Sequence, residues 1–148
     1  MPDAFYESRF FMEWILHDFT ISTEKCLLSV KEIHEFLTRN HGAASRTHAE
    51  IEKSIENSLC FGMYRKGKQV GFARIISDFT TVYFLSDFFI LEEFRGKGLG
   101  KWMLECITGY TELKNLIGFL ATRNAHGLYR KYGFRSLRDP RIMMLKVP

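Results

Sequence analysis

The sequence lacks several features that mark secreted, zinc-stabilised or membrane proteins. Its three cysteines, Cys26, Cys60 and Cys106, are odd in number and show no C-x-x-C spacing, which argues against a disulfide framework or a cysteine zinc site. No apolar run approaches the roughly 18 residues of a membrane-spanning helix, and the first residues lack the basic and apolar regions of a signal peptide. We therefore expect reduced, mostly buried thiols, a cytoplasmic location and no membrane partner.

The sequence also lacks a strong excess of one charge and any sign of a division into several domains. The net charge is only +4 and the basic residues are scattered, so a nucleic-acid partner is not predicted. With no repeat, low-complexity segment or linker, 148 residues at 46% hydrophobic content predict one domain, over 18–148. Residues 1–17 are unusually aromatic, and the spacing around Trp14 would suit a helical face. We expect this extension to pack on the domain or on a partner, which leaves a homodimer open.

Hydrophobic periodicity, turn residues and caps predict a strand, two helices, three strands, a helix, a strand, a helix and closing strands. The predicted segments are 19–23, 29–39 after a capping box of Ser29 and Glu32, 48–58, a hairpin over 59–78, 81–91, 99–110, 115–123, 125–132 capped by Asn124, and an antiparallel pair from 134–137 and 141–147. This order predicts an α+β protein with a mixed α/β sheet.

The segment EEFRGKGLGKW, Glu92 to Trp102, places three glycines two apart at a strand-to-helix junction. The first amides of a helix lack intrahelical partners, and glycines let phosphate oxygens reach them. Three basic side chains add charge: Arg95, Lys97 and Lys101. The spacing does not fit a Walker loop and fits a dinucleotide fingerprint poorly. The segment predicts an anion site, most simply for a pyrophosphate.

Arg95 to Gly100 matches R-x-x-G-x-G, with Ile90 five residues upstream, and residues 125–134 match A-x-x-L-Y-x-x-x-G-F. On these motifs the chain resembles the GNAT superfamily of acetyl-CoA-dependent N-acetyltransferases. The order of elements agrees from about Phe19 to Val147. The resemblance implies a central, mostly antiparallel sheet flanked by helices. It also implies an acyltransferase that uses acetyl-CoA as co-substrate and no metal.

The resemblance also implies where acetyl-CoA binds. The pantetheine arm would pair with main chain of one strand, and the pyrophosphate would lie on the glycine loop. The implied binding residues are Phe88, Phe89, Ile90, Arg95, Gly96, Lys97, Gly98, Leu99, Gly100 and Lys101. Thr122 stands where the family often has an asparagine, so Asn124 is the candidate replacement.

Two catalytic groups follow from the reaction. An amine must be neutral to attack a thioester, and the departing thiolate is better stabilised if an acid gives it a proton. Tyr129 stands at the family's general-acid position. Asp87 is a carboxylate in the aromatic strand VYFLSDFFIL and is the candidate base, with a water relay as the alternative.

The acceptor is the least determined part of the hypothesis. In the family, the loops that select acceptors correspond here to Arg39–Thr47 and Arg138–Arg141, both more basic than acidic. A small-molecule amine that carries a carboxylate is therefore favoured over a polycation. An acetyl-CoA sensor without turnover and a protein or peptide N-acetyltransferase remain alternatives. His34, His41, His48 and His126 show no H-x-x-x-H spacing, so no metal site is predicted.

Overall fold

The computed structural model describes residues 11–40 and 46–148, which build one six-stranded sheet with helices on both faces. The strands are β1 (Glu13–Leu16), β2 (Phe19–Ser22), β3 (Leu59–Arg65), β4 (Lys68–Ser77), β5 (Val82–Ile90) and β6 (Ile117–Leu120). The helices are α1 (Val30–Asn40), α2 (His48–Glu56), α3 (Leu99–Thr108) and α4 (His126–Arg130). Neighbouring strands follow chain order, and every pair is antiparallel except β5 with β6. The predicted mixed fold is confirmed.

Local chemistry explains the connections. Lys66 and Gly67 join β3 to β4 with φ of 49° and 79°, the paired positive angles of a tight two-residue hairpin turn. A full capping box starts α2, since Thr47 accepts from the amide of Glu50 and the Glu50 carboxylate accepts from the amide of Thr47. At α1 only half of the predicted box forms. The Ser29 hydroxyl accepts from the Glu32 amide, but the Ser29 amide donates to Gln69 Oε1 at 2.7 Å.

Two apolar clusters cover the two faces of the sheet. One joins the sheet to α3 and includes Phe61, Met63, Met103, Leu104 and Ile107. The other joins the sheet to α1 and α2 and includes Ile33, Leu37, Ile51, Phe72 and Phe89. Cys60 and Cys106 are buried in these clusters as expected, whereas Cys26 is exposed.

The helical interpretation of the N-terminal segment is wrong within the described residues. Residues 13–16 form β1, which pairs with β2, and the amide of Met12 donates to Thr23 Oγ1 at 2.8 Å. Trp14 is the one half-buried side chain of β1 and stacks on Phe61, with ring centroids 5.8 Å apart. Pairing on the sheet edge therefore outweighs the helical spacing. The expected domain boundary at 17/18 falls inside this hairpin turn, and residues 1–10 lie outside the described residues.

The predicted closing pair of strands is also wrong. Neither 134–137 nor 141–147 forms a strand, and Pro140–Ile142 instead make a 3-10 turn. Asp139 caps that turn, because its carboxylate accepts from the backbone amide of Arg141 at 3.0 Å. The turn takes up the start of the expected last strand, and the apolar side chains beyond it, such as Met144 and Leu145, are exposed.

Replacing Trp14 with alanine tests whether β1 is an integral part of the domain. We expect Trp14→Ala to lower the free energy of unfolding by about 2 kcal/mol, because the indole loses its contacts with Phe61 and Tyr110. Ile15 on the same strand is 70% exposed, so Ile15→Ala should stay within about 0.5 kcal/mol of the unmodified protein. Urea denaturation measures both. Equal stability of the two variants would make β1 a dispensable extension.

Candidate active site

A bulge interrupts the pairing of β4 with β5. Phe72 pairs with Phe89 and Arg74 pairs with Ser86, so two residues of β5, Asp87 and Phe88, lie opposite one residue of β4. Asp87 has φ of 53°, in the left-handed region that side-chain-bearing residues seldom adopt. The bulge therefore shifts the alternation of β5 side chains between the two faces of the sheet.

β5 and β6 stop pairing just before the bulge. Their parallel register runs from Val82 opposite Ile117 to Leu85 opposite Leu120 and stops there. β5 continues to Ile90, so main chain over 86–90 lies beyond the part that β6 pairs with. We call this unpaired stretch the opening, and it is where the family resemblance places the pantetheine arm.

The glycine loop ends in the first turn of α3. Gly96 and Gly98 have φ of 76° and 79°, and a methyl group on either would meet nothing within 4 Å. The glycines are therefore required by their backbone angles, while the space over the loop is open. Gly98 is the N-cap of α3, and the next residue, Leu99, is buried in the core. The loop thus presents the amides at the start of a helix on a fixed support.

The basic side chains of the loop are exposed but make local contacts. Arg95 Nε donates to the carbonyl of Ile90 at 3.0 Å, which fixes the loop to the end of β5. The Lys97 ammonium lies 5.5 Å from the ring centre of Phe94. Lys101 is exposed on the first turn of α3. The positive charge predicted for this region is present around the open amides.

The loop, β5 and α4 meet at Phe88. A Cβ at Gly100 would lie 3.9 Å from the Phe88 ring, and the same ring contacts Tyr129 edge to face with centroids 6.1 Å apart. Tyr129 also packs edge to face on Phe134, at 6.0 Å. The two sequence motifs therefore converge beside the opening between β5 and β6.

Three of the other residues predicted to bind the cofactor could do so only through their main chain. The side chains of Phe89, Ile90 and Leu99 belong to the core, so only their backbones could contact a ligand. Phe36 stacks on Phe89 at 3.9 Å and fills that side of the strand.

Tyr129 has the environment expected of a proton donor. Burial raises the pKa of its hydroxyl, so the group keeps its proton at neutral pH. Within the described part of the chain, the hydroxyl makes no hydrogen bond. It is therefore available to a ligand.

The start of α4 differs from the expectation. Thr122 Oγ1 accepts from the amide of Ala125 at 3.1 Å, so Thr122, not Asn124, stabilises this turn. Asn124 is exposed beyond the end of β6. Its side chain is therefore not used as a helix cap, and its role toward a cofactor stays a prediction.

Asp87 lies on the other face of β5, in a cluster with two arginines. Arg46 donates to both carboxylate oxygens at 3.0 and 2.8 Å, and Arg74 Nε donates at 2.8 Å. Burial alone would raise the pKa of Asp87, but the hydrogen bonds and charges of the arginines lower it overall. A carboxylate engaged in this way is a poor proton acceptor, so the geometry does not favour Asp87 as the base.

Sequence reasoning missed Arg46 and Arg74. A signal was available, because Arg74 is the charged residue in the apolar strand VGFARIIS, just as Asp87 is in its neighbour. Opposite charges in two adjacent apolar strands predict an ion pair. Arg46 gave no such signal, because it lies in a polar connection.

His34 on α1 and His48 on α2 lie side by side, with ring centroids 4.1 Å apart and ring planes tilted by 33°. Across 11–40 and 46–148, no group of three or more His, Cys, Asp or Glu side chains could hold a metal ion. No helix within those ranges is both long and apolar enough to cross a membrane.

Comparison with known proteins agrees with this geometry. A family model for the acetyltransferase (GNAT) domain matches residues 56–136. A crystal structure of a candidate GNAT acetyltransferase from Xanthomonas campestris pv. campestris is 36% identical, covering 91% of this chain and 96% of that chain with a TM-score of 0.85. A candidate acetyltransferase of Gibberella zeae is 29% identical, covering 85% of this chain and 84% of that protein. A predicted acetyltransferase of Clostridium acetobutylicum, solved with acetyl-CoA, has a TM-score of 0.63 at 14% identity, covering 88% and 94%.

The sheet, its opening and the glycine loop thus define an acetyltransferase-type fold. The chain belongs to the GNAT family, since the family model covers more than half of it and the Xanthomonas structure matches nearly all of it.

Three glycines allow the demands of the loop to be tested separately. Gly98→Ala and Gly67→Ala each force a side chain into φ of 79° with nothing within 4 Å, so each should lose about 1–2 kcal/mol of unfolding free energy. Gly100→Ala should lose nothing and could gain up to about 1 kcal/mol, because Gly100 is helical and its new methyl group would make ordinary contacts. Urea denaturation measures all three. A clear loss of unfolding free energy in Gly100→Ala would contradict the ordinary contacts that the structure gives the new methyl group.

Proposed function

We propose that the protein transfers an acetyl group from acetyl-CoA directly to a primary amine of a small molecule. The observation that carries this proposal is the convergence of Phe88, Gly100 and Tyr129 where β5 and β6 separate. Family membership supports acetyl transfer, and the Clostridium structure with acetyl-CoA supports the identity of the co-substrate.

The chain offers two sets of contacts to acetyl-CoA. The amides from Gly96 to Gly100 would hold the pyrophosphate, with Arg95, Lys97 and Lys101 supplying charge. Main chain of Phe88 to Ile90 would bind the pantetheine arm in the opening beside β5. The carbonyl of Ile90 already accepts from Arg95, so the amides and carbonyls closer to Phe88 are the better partners.

The chemistry needs little from the protein. The neutral amine nitrogen attacks the thioester carbonyl, a C–N bond forms, and the C–S bond breaks. Tyr129 gives its proton to the departing thiolate and is reprotonated from solvent. The amine loses its proton to water, since the geometry does not favour Asp87 for this step.

The acceptor side is basic. Arg46 and Arg74 share the single carboxylate of Asp87, so this cluster keeps one net positive charge. Arg39 pairs with Glu35 and Arg141 pairs with Asp139, and the exposed Arg138 beside Asp139 adds a second net positive charge. Residues 41–45 of the first acceptor loop lie outside the described residues. This charge favours amines that carry a carboxylate over polyamines.

A panel of acceptors tests the activity. Purified protein is incubated with acetyl-CoA and either amino acids, polyamines, neutral amines or peptides, and acetylated products are measured by mass spectrometry. We expect small amines to be acetylated, those with a carboxylate most efficiently. Modification of peptides alone would identify a protein acetyltransferase. Binding of acetyl-CoA without any product would identify a sensor.

Gly100→Ala separates cofactor binding from stability. Acetyl-CoA should raise the melting temperature of the unmodified protein, because it binds the folded state. The added methyl group occupies the surface beside Phe88, so this stable variant should lose most of that shift. Gly67→Ala is the control, since it lies outside the glycine loop and its new methyl group would meet nothing within 4 Å, so it should keep the full shift. A full shift in Gly100→Ala would rule out close approach of the ligand at this helix start.

Tyr129→Phe deletes one hydroxyl and keeps the ring packed on Phe88 and Phe134. We expect kcat to fall about 100-fold, within the usual range for general acid catalysis, while the acetyl-CoA shift stays unchanged. Tyr132→Phe is the matched control, because that hydroxyl bonds to Glu105 at 3.2 Å, and its kcat should not change. A kcat within about threefold for Tyr129→Phe would mean that another donor protonates the sulfur.

A further inference from the structure

Two guanidinium groups converge on the carboxylate at the bulge of β5. The side chain of Asp87 is 6% exposed, that of Arg74 is 11% exposed and that of Arg46 is 30% exposed. Arg46 binds the carboxylate with a two-pronged fork, the strongest geometry for this pair. The cluster is largely shielded from water and makes specific contacts.

Arg74 fixes the cluster to the sheet. Its Nη1 donates to Ser58 Oγ at 3.2 Å and its Nη2 to Ser86 Oγ at 3.4 Å. The guanidinium thus joins the start of β3, its own strand β4 and the residue before the bulge. Asp87 is held from the sheet side by a donor that is itself immobilised.

Arg46 connects the bulge to the helices. It lies one residue before the α2 N-cap Thr47, and its carbonyl accepts from Nε2 of His34 on α1 at 3.1 Å. One residue therefore contacts β5, α1 and the start of α2. Arg46 thereby ties the start of α2 to the strand that lines the opening.

We propose that Asp87 is a positioning residue, whose carboxylate, shared by Arg46 and Arg74, holds the β5 bulge in place and couples it through Arg46 to α1 and the start of α2. This inference rests on the proposed function. A side-chain-bearing residue with positive φ persists when its surroundings fix it. Because the bulge turns Phe88 toward Gly100 and Tyr129, the ion cluster on one face of β5 sets the geometry of the site on the other.

The groups around the carboxylate are consistent with this role. Arg46 and Arg74 bind it directly, and Glu50 lies near Arg46. Burial raises the pKa of the Cys60 thiol to about 12, so the thiol is neutral. The Asp87 carboxylate therefore offsets positive charge of the two arginines and stays ionised.

The test compares Asp87→Asn with Arg46→Ala and Arg46→Lys in the amine assay. We expect kcat/KM to fall about 10- to 100-fold in Asp87→Asn and Arg46→Ala, because the reacting groups lose their alignment. In both variants kcat/KM should still decrease toward low pH as it does in the unmodified protein. Arg46→Lys should recover only part of the loss, because an ammonium cannot reproduce the fork. Asp18→Asn is the control, since it breaks an exposed ion pair with Arg65 at 2.7 Å and leaves the contact of Arg65 with Phe94 in place. Its kcat/KM should not change.

Hydrogen exchange provides a readout that does not depend on turnover. Arg46→Ala should raise exchange in peptides from β5 and the start of α2 by about tenfold, whereas Asp18→Asn should not. This arm applies even if Asp87→Asn fails to fold. The inference is overturned if exchange in Arg46→Ala is unchanged, or if Asp87→Asn abolishes the decrease of kcat/KM toward low pH while Arg46→Ala keeps full kcat/KM. Absence of amine turnover in the unmodified protein would instead contradict the proposed function, leaving the exchange result to decide this inference.

Discussion

The candidate site depends on the point at which β5 and β6 stop pairing. Up to Leu85 the two strands share a parallel register, and beyond it the backbone of β5 has no β6 residue opposite. Parallel neighbours in a sheet require a crossover, and here that crossover contains α3 and its glycine loop. The opening, the helix start and Tyr129 on α4 are thereby brought to one edge of the β5–β6 pair.

The loop obtains its fixed shape from the core beneath it. Gly98 is exposed, yet Leu99 is buried, and Met103, Leu104 and Ile107 continue the same helix into the apolar cluster. Each such side chain contributes about 1.5–3 kcal/mol by burial. The amides of the first turn are therefore held in place before any ligand arrives, which reduces the ordering cost of binding.

The sequence predicted this architecture where local chemistry decides it. The hairpin around Gly67, the helices after Ser29 and Thr47, and the glycine loop before Leu99 all have their own turn or cap signals. It failed where tertiary pairing decides, as in β1, whose backbone pairs with β2 although the spacing around Trp14 suits a helix. Arg46, one of the two partners of Asp87, was equally hidden, because it is 41 residues away in sequence and only the fold brings them together.

The topology also orders the steps by which the chain can reach this structure. From β2 to β5 the strands meet as antiparallel neighbours, and the β3–β4 pair closes through two residues, Lys66 and Gly67. The β2–β3 pair, which joins Ser22 to Gly62, and the parallel β5–β6 pair, which joins Val82 to Ile117, instead close over long stretches of chain. Closing such long loops costs more chain entropy and forms less local contact, which slows both steps. Tyr129 lies after β6, so the candidate proton donor and the opening beside β5 meet only once this non-local parallel pairing is complete.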